Sequence, residues 1–209
     1  LVNEMLDKLP EEVFKSDTTT FLDPSFGSGT FLIEIVKRLR KEGHSIENIQ
    51  ERIYGTEISH RLYNKVTKLF SKYNFHKLYK EDFLTKDFNN MKFDVVIGNP
   101  PFNDASTVQS TGRRRTGRMY LDFMYKAVEL SNRYVLMISP ARGWIVGTRR
   151  GKYLAEFLEL GLQELVNCDD YFDIKLLDVI YAFIDKNTVV DSLNYDDTKS
   201  KYSQADNNL

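Results

Sequence analysis

The chain of 209 residues is short of several things, and each shortage removes a class of explanation. It has a single cysteine, Cys168, so an internal disulfide framework is excluded and a reducing cytoplasm is the expected compartment. Its three histidines, His44, His60 and His76, stand far apart without a second cysteine, so they are read as surface or helix residues and no metal site is expected. No apolar run approaches the roughly 18 residues needed to cross a bilayer, and no signal peptide is visible. The net charge of −1 gives no global attraction to nucleic acid, so any such binding has to come from local patches. What remains is an ordinary globular composition, with 42% hydrophobic residues, enough for one well-filled core. The sequence opens at Leu1 without an initiator methionine and reads as a piece of something longer.

Against that background one stretch stands out. The apolar run Phe93-Asp94-Val95-Val96-Ile97-Gly98 ends in Asn99-Pro100-Pro101-Phe102. Proline donates no N–H to a sheet and forces the preceding residue into an extended conformation, so a buried strand stops there in a rigid corner. The Asn99 amide oxygen and the Pro100 carbonyl can then act as two acceptors beside the flat wall of Phe102. Such a corner grips a planar NH2 group on a π system and frees its lone pair for attack on an electrophile. Taken alone, the same tetrapeptide also suits a surface turn.

Upstream, Leu1, Val2, Met5, Leu6 and Leu9 recur at helical spacing and stop at Pro10, predicting a short amphipathic helix near the glycine loop that follows. Thr18 to Leu22 reads as a strand, Asp23-Pro24-Ser25-Phe26-Gly27-Ser28-Gly29-Thr30 as a loop, and Phe31 to Leu39 as a helix. Gly27 and Gly29 let the backbone turn sharply and come close to a ligand at the start of that helix. The loop lacks the third glycine of a dinucleotide fingerprint and the Gly-Lys-Ser/Thr of a phosphate loop. A polar helix around Ile46 to Glu51 precedes a second strand, Ile53 to Ile58, which carries Glu57; that acid is read either as an acceptor for ribose hydroxyls or as an acid next to a helix cap. A helix from Ser59 to Phe70 leads to a third strand at Leu78-Tyr79 and then to Asp82, suited to the exocyclic amine of a purine, with Phe83 or Ile58 stacking on its face.

Asn103 to Met119 is polar and aperiodic, with Arg113, Arg114, Arg115 and Arg118; it is either a flap whose arginines meet phosphates or a solvated basic loop. A helix from Tyr120 to Leu130, a strand from Arg133 to Ile138, a helix from Lys152 to Leu160 and strands at Leu162 to Val166 and Leu177 to Ile184 follow. From Asp191 the chain is polar and reads as a frayed tail or linker. The fold predicted is α/β, an open, mostly parallel Rossmann-like sheet with helices on both faces, an antiparallel hairpin at one edge and a ligand along the carboxyl edge.

Asp23-Pro24-x-x-Gly27-x-Gly29-x-Phe31-Leu32, Glu57, Asp82 and Asn99-Pro100-Pro101-Phe102, in that order, resemble the gamma class of S-adenosylmethionine-dependent adenine-N6 DNA methyltransferases of restriction-modification systems. The resemblance spans residues 1–186, leaving 187–209 as the polar tail. It implies that the loop through Thr30 holds the methionine part of the cofactor, Glu57 its ribose, and Asp82 with Phe83 its adenine. It places the target base of double-stranded DNA on Asn99, Pro100 and Phe102, with Phe172 as a second aromatic. The segment Tyr120 to Met124 resembles the lining of the methionine pocket, and Leu136 to Trp144 the strand and turn after it. Phe26 and Thr30 stand where many members have a small residue or Cys and a Gly. The N-terminal cofactor motif reads as cut short and no target-recognition domain follows Lys186, so a specificity or nuclease subunit, or a separate recognition domain, is the expected partner. The same corner also suits glutamine-N5 methylation of a protein or adenine methylation of RNA, and a non-catalytic DNA-binding subunit is a further alternative.

Overall fold

The computed structural model describes residues 1–102, 119–141, 150–172, 179–189, 193–196 and 201–204. The opening helical stretch is two helices, α1 (Val2–Leu6) and α2 (Glu11–Lys15), with Pro10 at the N-cap of the second. A proline that ends one helix is well placed to start another, because its fixed φ suits a helix entrance where no N–H is needed. Then come β1 (Phe21–Asp23), α3 (Thr30–Lys41), α4 (Ile46–Gln50), β2 (Ile53–Thr56), α5 (His60–Leu69), β3 (Leu78–Tyr79) and β4 (Phe93–Gly98). The second half contributes α6 (Met119–Leu130), β5 (Ser131–Pro140), α7 (Arg150–Glu159), β6 (Leu162–Asn167), β7 (Val179–Asp185), β8 (Leu193–Asp196) and β9 (Lys201–Gln204).

The strands form one sheet in the order β3-β2-β1-β4-β5-β7-β6-β9-β8. The first five are parallel, and β7 runs antiparallel between β5 and β6. This is the predicted open α/β sheet with its antiparallel hairpin. The stretch after Asp191 departs from expectation: β8 and β9 pair with each other, and β9 pairs with β6. Strand pairing joins backbone groups, which polar side chains do not prevent, and without β9 the N–H and C=O groups of β6 would form an open edge.

Alternation along the strands sorts the apolar residues into two cores. Phe21, Ile53, Val95, Ile97, Leu136 and Ile138 face a core shared with α1, α2, α3 and α5. Their neighbours Leu22, Tyr54, Val96, Val135 and Met137 face a second core built with α6 and α7. A side-chain period of two makes such a split follow directly from a continuous apolar run. The N-terminal helix is tied down at two neighbouring residues: Arg38 of α3 donates to the carbonyl of Asn3 at 3.1 Å, and the Tyr171 hydroxyl donates to Glu4 at 2.5 Å.

Candidate active site

β1 and β4 are adjacent and parallel, with Phe21 opposite Val95 and Leu22 opposite Val96, so the loops after them emerge on the same rim of the sheet. The contact between those loops is close. A Cβ added to Gly98 would lie 2.8 Å from Asp23 Oδ1 and 3.0 Å from Pro24 Cδ. The last residue of β4 therefore has to lack a side chain for the Asp-Pro turn to rest on it. Asn99, the next residue, is exposed at the rim, while Pro100 is buried behind it. Phe102 is half-buried against the core under α1 to α3, and Phe172, after a 3-10 turn at Asp169–Tyr171, packs on that same core.

The glycine loop is held by its neighbour β2. The Thr56 hydroxyl donates to the Pro24 carbonyl at 2.7 Å, and the N–H of Phe26 donates to the Thr56 carbonyl at 3.1 Å. Gly27 and Gly29 have φ of 51° and 81°, in the left-handed region that only glycine enters without strain. Gly29 is also the N-cap of α3, and no side chain caps that helix. The first-turn N–H groups of α3 thus point toward whatever occupies the loop, with the positive end of the helix dipole behind them. Thr30 is exposed, with its hydroxyl 2.9 Å from that of Ser28. Phe26 does not crowd the loop: its ring turns inward over Gly55, where an added Cβ would meet Phe26 Cδ1 at 2.7 Å.

Asp23 is 1% exposed. Its Oδ1 accepts the Ser25 N–H at 3.0 Å, and its Oδ2 has no hydrogen-bond partner. Burial pushes the carboxyl up to about 8, opposed by the Ser25 N–H and reinforced by the Glu57 carboxylate. Glu57 itself accepts the N–H of Gly27 at 2.9 Å on one oxygen and the N–H of Ser59 at 2.7 Å on the other. It therefore serves both readings at once, as a brace for the glycine loop and as an acid beside a helix entrance, and each oxygen keeps a lone pair for a further donor.

Beyond Glu57 the side chain of Ile58 is 72% exposed. Asp82 is half-buried and accepts the Leu84 N–H at 2.9 Å. Phe83 corrects the expectation from sequence. Its ring is 1% exposed, packed at 5.0 Å on Phe123 and 6.2 Å on Phe88, so neither face is open to a ligand. An aromatic after a polar strand end is drawn into the nearest core when a helix such as α6 supplies partners. Ile58 is left as the open apolar surface on this rim.

Three contributors were not picked out from sequence. Gly98 lets the two loops meet, Thr56 ties the glycine loop to β2, and Lys126 on α6 donates to the carbonyls of Leu84 at 3.0 Å and Lys86 at 2.8 Å, fixing the segment after Asp82. A glycine directly before Asn-Pro-Pro was a readable signal for the first; nothing local marks the other two. Arg113, Arg114, Arg115 and Arg118 lie outside the described residues, as does Trp144.

The sequence pattern of the family described as Eco57I restriction-modification methylase matches residues 18–173. An uncharacterized adenine-specific methylase of Mycoplasma pneumoniae is 30% identical over 130 residues, which are 61% of this chain and 28% of that protein. The chain thus spans less than a third of that curated relative's length. Among solved structures, the M protein of the type I restriction enzyme EcoKI superposes with a TM-score of 0.66 at 16% identity, covering 96% of this chain and 45% of its own. A putative class I S-adenosylmethionine-dependent methyltransferase of Listeria monocytogenes superposes with a TM-score of 0.60 at 15% identity, over 88% of this chain and 58% of its own. At these identities the structural likeness is one of fold.

Proposed function

The chain belongs to the Eco57I restriction-modification methylase family, and on that premise we propose that it transfers a methyl group from S-adenosylmethionine to the N6 amine of an adenine turned out of duplex DNA. The observation that carries the reading is the seat of Asp23 and Pro24 against Gly98, which sets the corner at Asn99 one residue from the glycine loop.

The residues present fit the cofactor. The partnerless Oδ2 of Asp23 suits a cationic donor such as the α-ammonium of a methionine moiety, the lone pairs left on Glu57 suit ribose hydroxyls, and Ile58 with the half-buried Asp82 suits an aminopurine. When bound, S-adenosylmethionine supplies a methyl on a sulfonium, an electrophile strong enough that an amine needs alignment more than deprotonation. Asn99 and Pro100 accept the two N–H bonds of the target amine and hold its lone pair toward the glycine loop. Phe102 stacks on the base, with Phe172 as a second ring. Turning the base out of the duplex costs about a few kcal/mol, and each aromatic contact returns roughly 1–3 kcal/mol. Phosphate contacts from Arg113, Arg114, Arg115 and Arg118 supply the remainder.

Residues 1–186 are the methyl-transfer domain in this reading, and sequence specificity comes from a recognition domain or a specificity subunit. The deciding experiment offers the chain tritiated S-adenosylmethionine with duplex DNA, RNA and a glutamine-containing protein in parallel. Label in DNA, recovered as N6-methyladenine, is the expected result. Label confined to RNA or to a glutamine amide refutes the DNA assignment.

A further inference from the structure

From Ile58 to Lys80 the sequence carries Arg61, Lys65, Lys68, Lys72, Lys77 and Lys80 and no aspartate or glutamate, in a chain whose net charge is −1. The fold divides these cations into two groups. Lys77 pairs with Glu51 at 2.6 Å and, together with Lys80, brackets β3, the outermost strand on its side of the sheet, where lysines guard an open edge against pairing with other chains. The other four do something else. Arg61, Lys65 and Lys68 follow the i, i+4, i+7 spacing along α5, and Lys72 continues the same line in the 3-10 turn at Ser71–Tyr73. All four are exposed, while Val66 and Phe70 are buried on the inward side. None of the four pairs with an acid among the described residues.

The stripe is about 10 Å long from Arg61 to Lys68, and one more turn reaches Lys72. Its upper end begins beside Ser59, whose N–H is held by Glu57, so it starts on the rim that carries the candidate active site and runs down the flank of the sheet. β3 and β4 are separated by β2 and β1, about 14 Å at ordinary strand spacing. α5 itself lies against the glycine loop, where a Cβ added to Gly29 would meet Val66 at 3.1 Å, so a duplex whose base reaches Asn99 and that extends toward β3 has α5 within about one helical turn.

We propose that this stripe on α5 is a second phosphate-binding surface, gripping the backbone of the duplex that flanks the methylated base. The proposal rests on the DNA reading above, and it adds a contact face remote from the Asn99 corner. Duplex DNA presents a negative charge about every 1.7 Å along its axis, a density that a line of cations spaced one helical turn apart can neutralise at several points. An acidic protein surface is the other occupant such charge would attract. Protein interfaces, however, centre on buried apolar anchors with charge at the rim. Here the cations hold the middle of the face, and the exposed Leu69 and Tyr73 lie along one side.

The test compares the chain with the R61Q/K65Q/K68Q/K72Q variant, its fold checked by circular dichroism. Binding to a random-sequence duplex of roughly three helical turns is followed by fluorescence anisotropy between about 50 and 200 mM salt. Four lost phosphate contacts lower the slope of log affinity against log salt by about 3 to 4, so the unaltered chain loses about 100-fold more affinity across that range than the variant does. Methyl transfer to a duplex too short to reach α5 keeps its kcat. Equal slopes overturn the proposal, and an acidic protein as the true occupant gives that result. Absence of methyl transfer to DNA by the unaltered chain counts against the active-site reading instead, while the comparison of slopes still decides what the stripe binds.

Discussion

Replacing Asp23 by Asn tests the electrostatics at the centre of the site. The carboxyl is 1% exposed, one of its oxygens has no partner, and the nearest charged group acting on it is another carboxylate, Glu57. Burial is the main cause that moves it from 3.8 to about 8. Between those two values the folded chain keeps a proton that the unfolded chain has released, so Asp23 favours folding fully below 3.8 and this contribution is lost as pH rises toward about 8. The slope is about −1.4 kcal/mol per pH unit, which accumulates to about 4 kcal/mol between pH values near 5 and 8. Asparagine keeps the acceptor for the Ser25 N–H and places a neutral group where Oδ2 was, so the variant has no such slope. Urea unfolding at a series of pH values reads both chains, with ΔG extrapolated linearly to water. The variant should gain on the unaltered chain steadily with pH and then hold its lead above about 8. Parallel profiles would show that the carboxyl ionises as freely in the fold as outside it, and the argument from burial would fail.

Asn99→Ala should remove methyl transfer by about a hundredfold or more, the scale of losing one oriented polar contact to a reacting group, and leave cofactor affinity by calorimetry unchanged; equal loss of both would assign Asn99 to the cofactor alone. Gly98→Ala places a methyl 2.8 Å from Asp23 Oδ1 and 3.0 Å from Pro24 Cδ, so it should cost about 1–3 kcal/mol in a denaturant melt and weaken cofactor binding as well. Unaltered stability would mean the two loops separate at little cost. Cys168 is 2% exposed, and burial pushes its thiol up to about 12, so a disulfide exchange reagent should leave the native chain unlabelled and label it fully in urea. Rapid native labelling would contradict that burial.

The elements that announced themselves in the sequence did so through backbone requirements. Gly27 and Gly29 mark positive φ, Asn-Pro-Pro marks the end of a strand, and the apolar runs at Phe93 to Gly98 and Arg133 to Ile138 mark strands covered on both faces. What escaped depends on partners far away in the chain. Thr56 is an ordinary strand residue until its hydroxyl meets the Pro24 carbonyl, and Phe83 is a plausible stacking ring until Phe123, forty positions on, closes over it. The hairpin of β8 and β9 escaped because its pairing is written in backbone groups common to every residue, and only the presence of β6 as a neighbour makes a polar stretch worth ordering.

The antiparallel strand at Val179–Asp185 lies between two strands that both precede it in sequence. Until residues 179–185 are present, nothing pairs β5 with β6, and the edge that each turns toward β7 keeps an unmated row of amides. The region shared with the family ends at residue 173, short of that strand. Excising that region for expression would leave a sheet missing an interior rung, with Ile138 and Leu165 lacking their strand neighbours Tyr181 and Ala182, and such a fragment should aggregate more readily than one cut after Asp185, which keeps the interior strand and opens only the outer edge of β6.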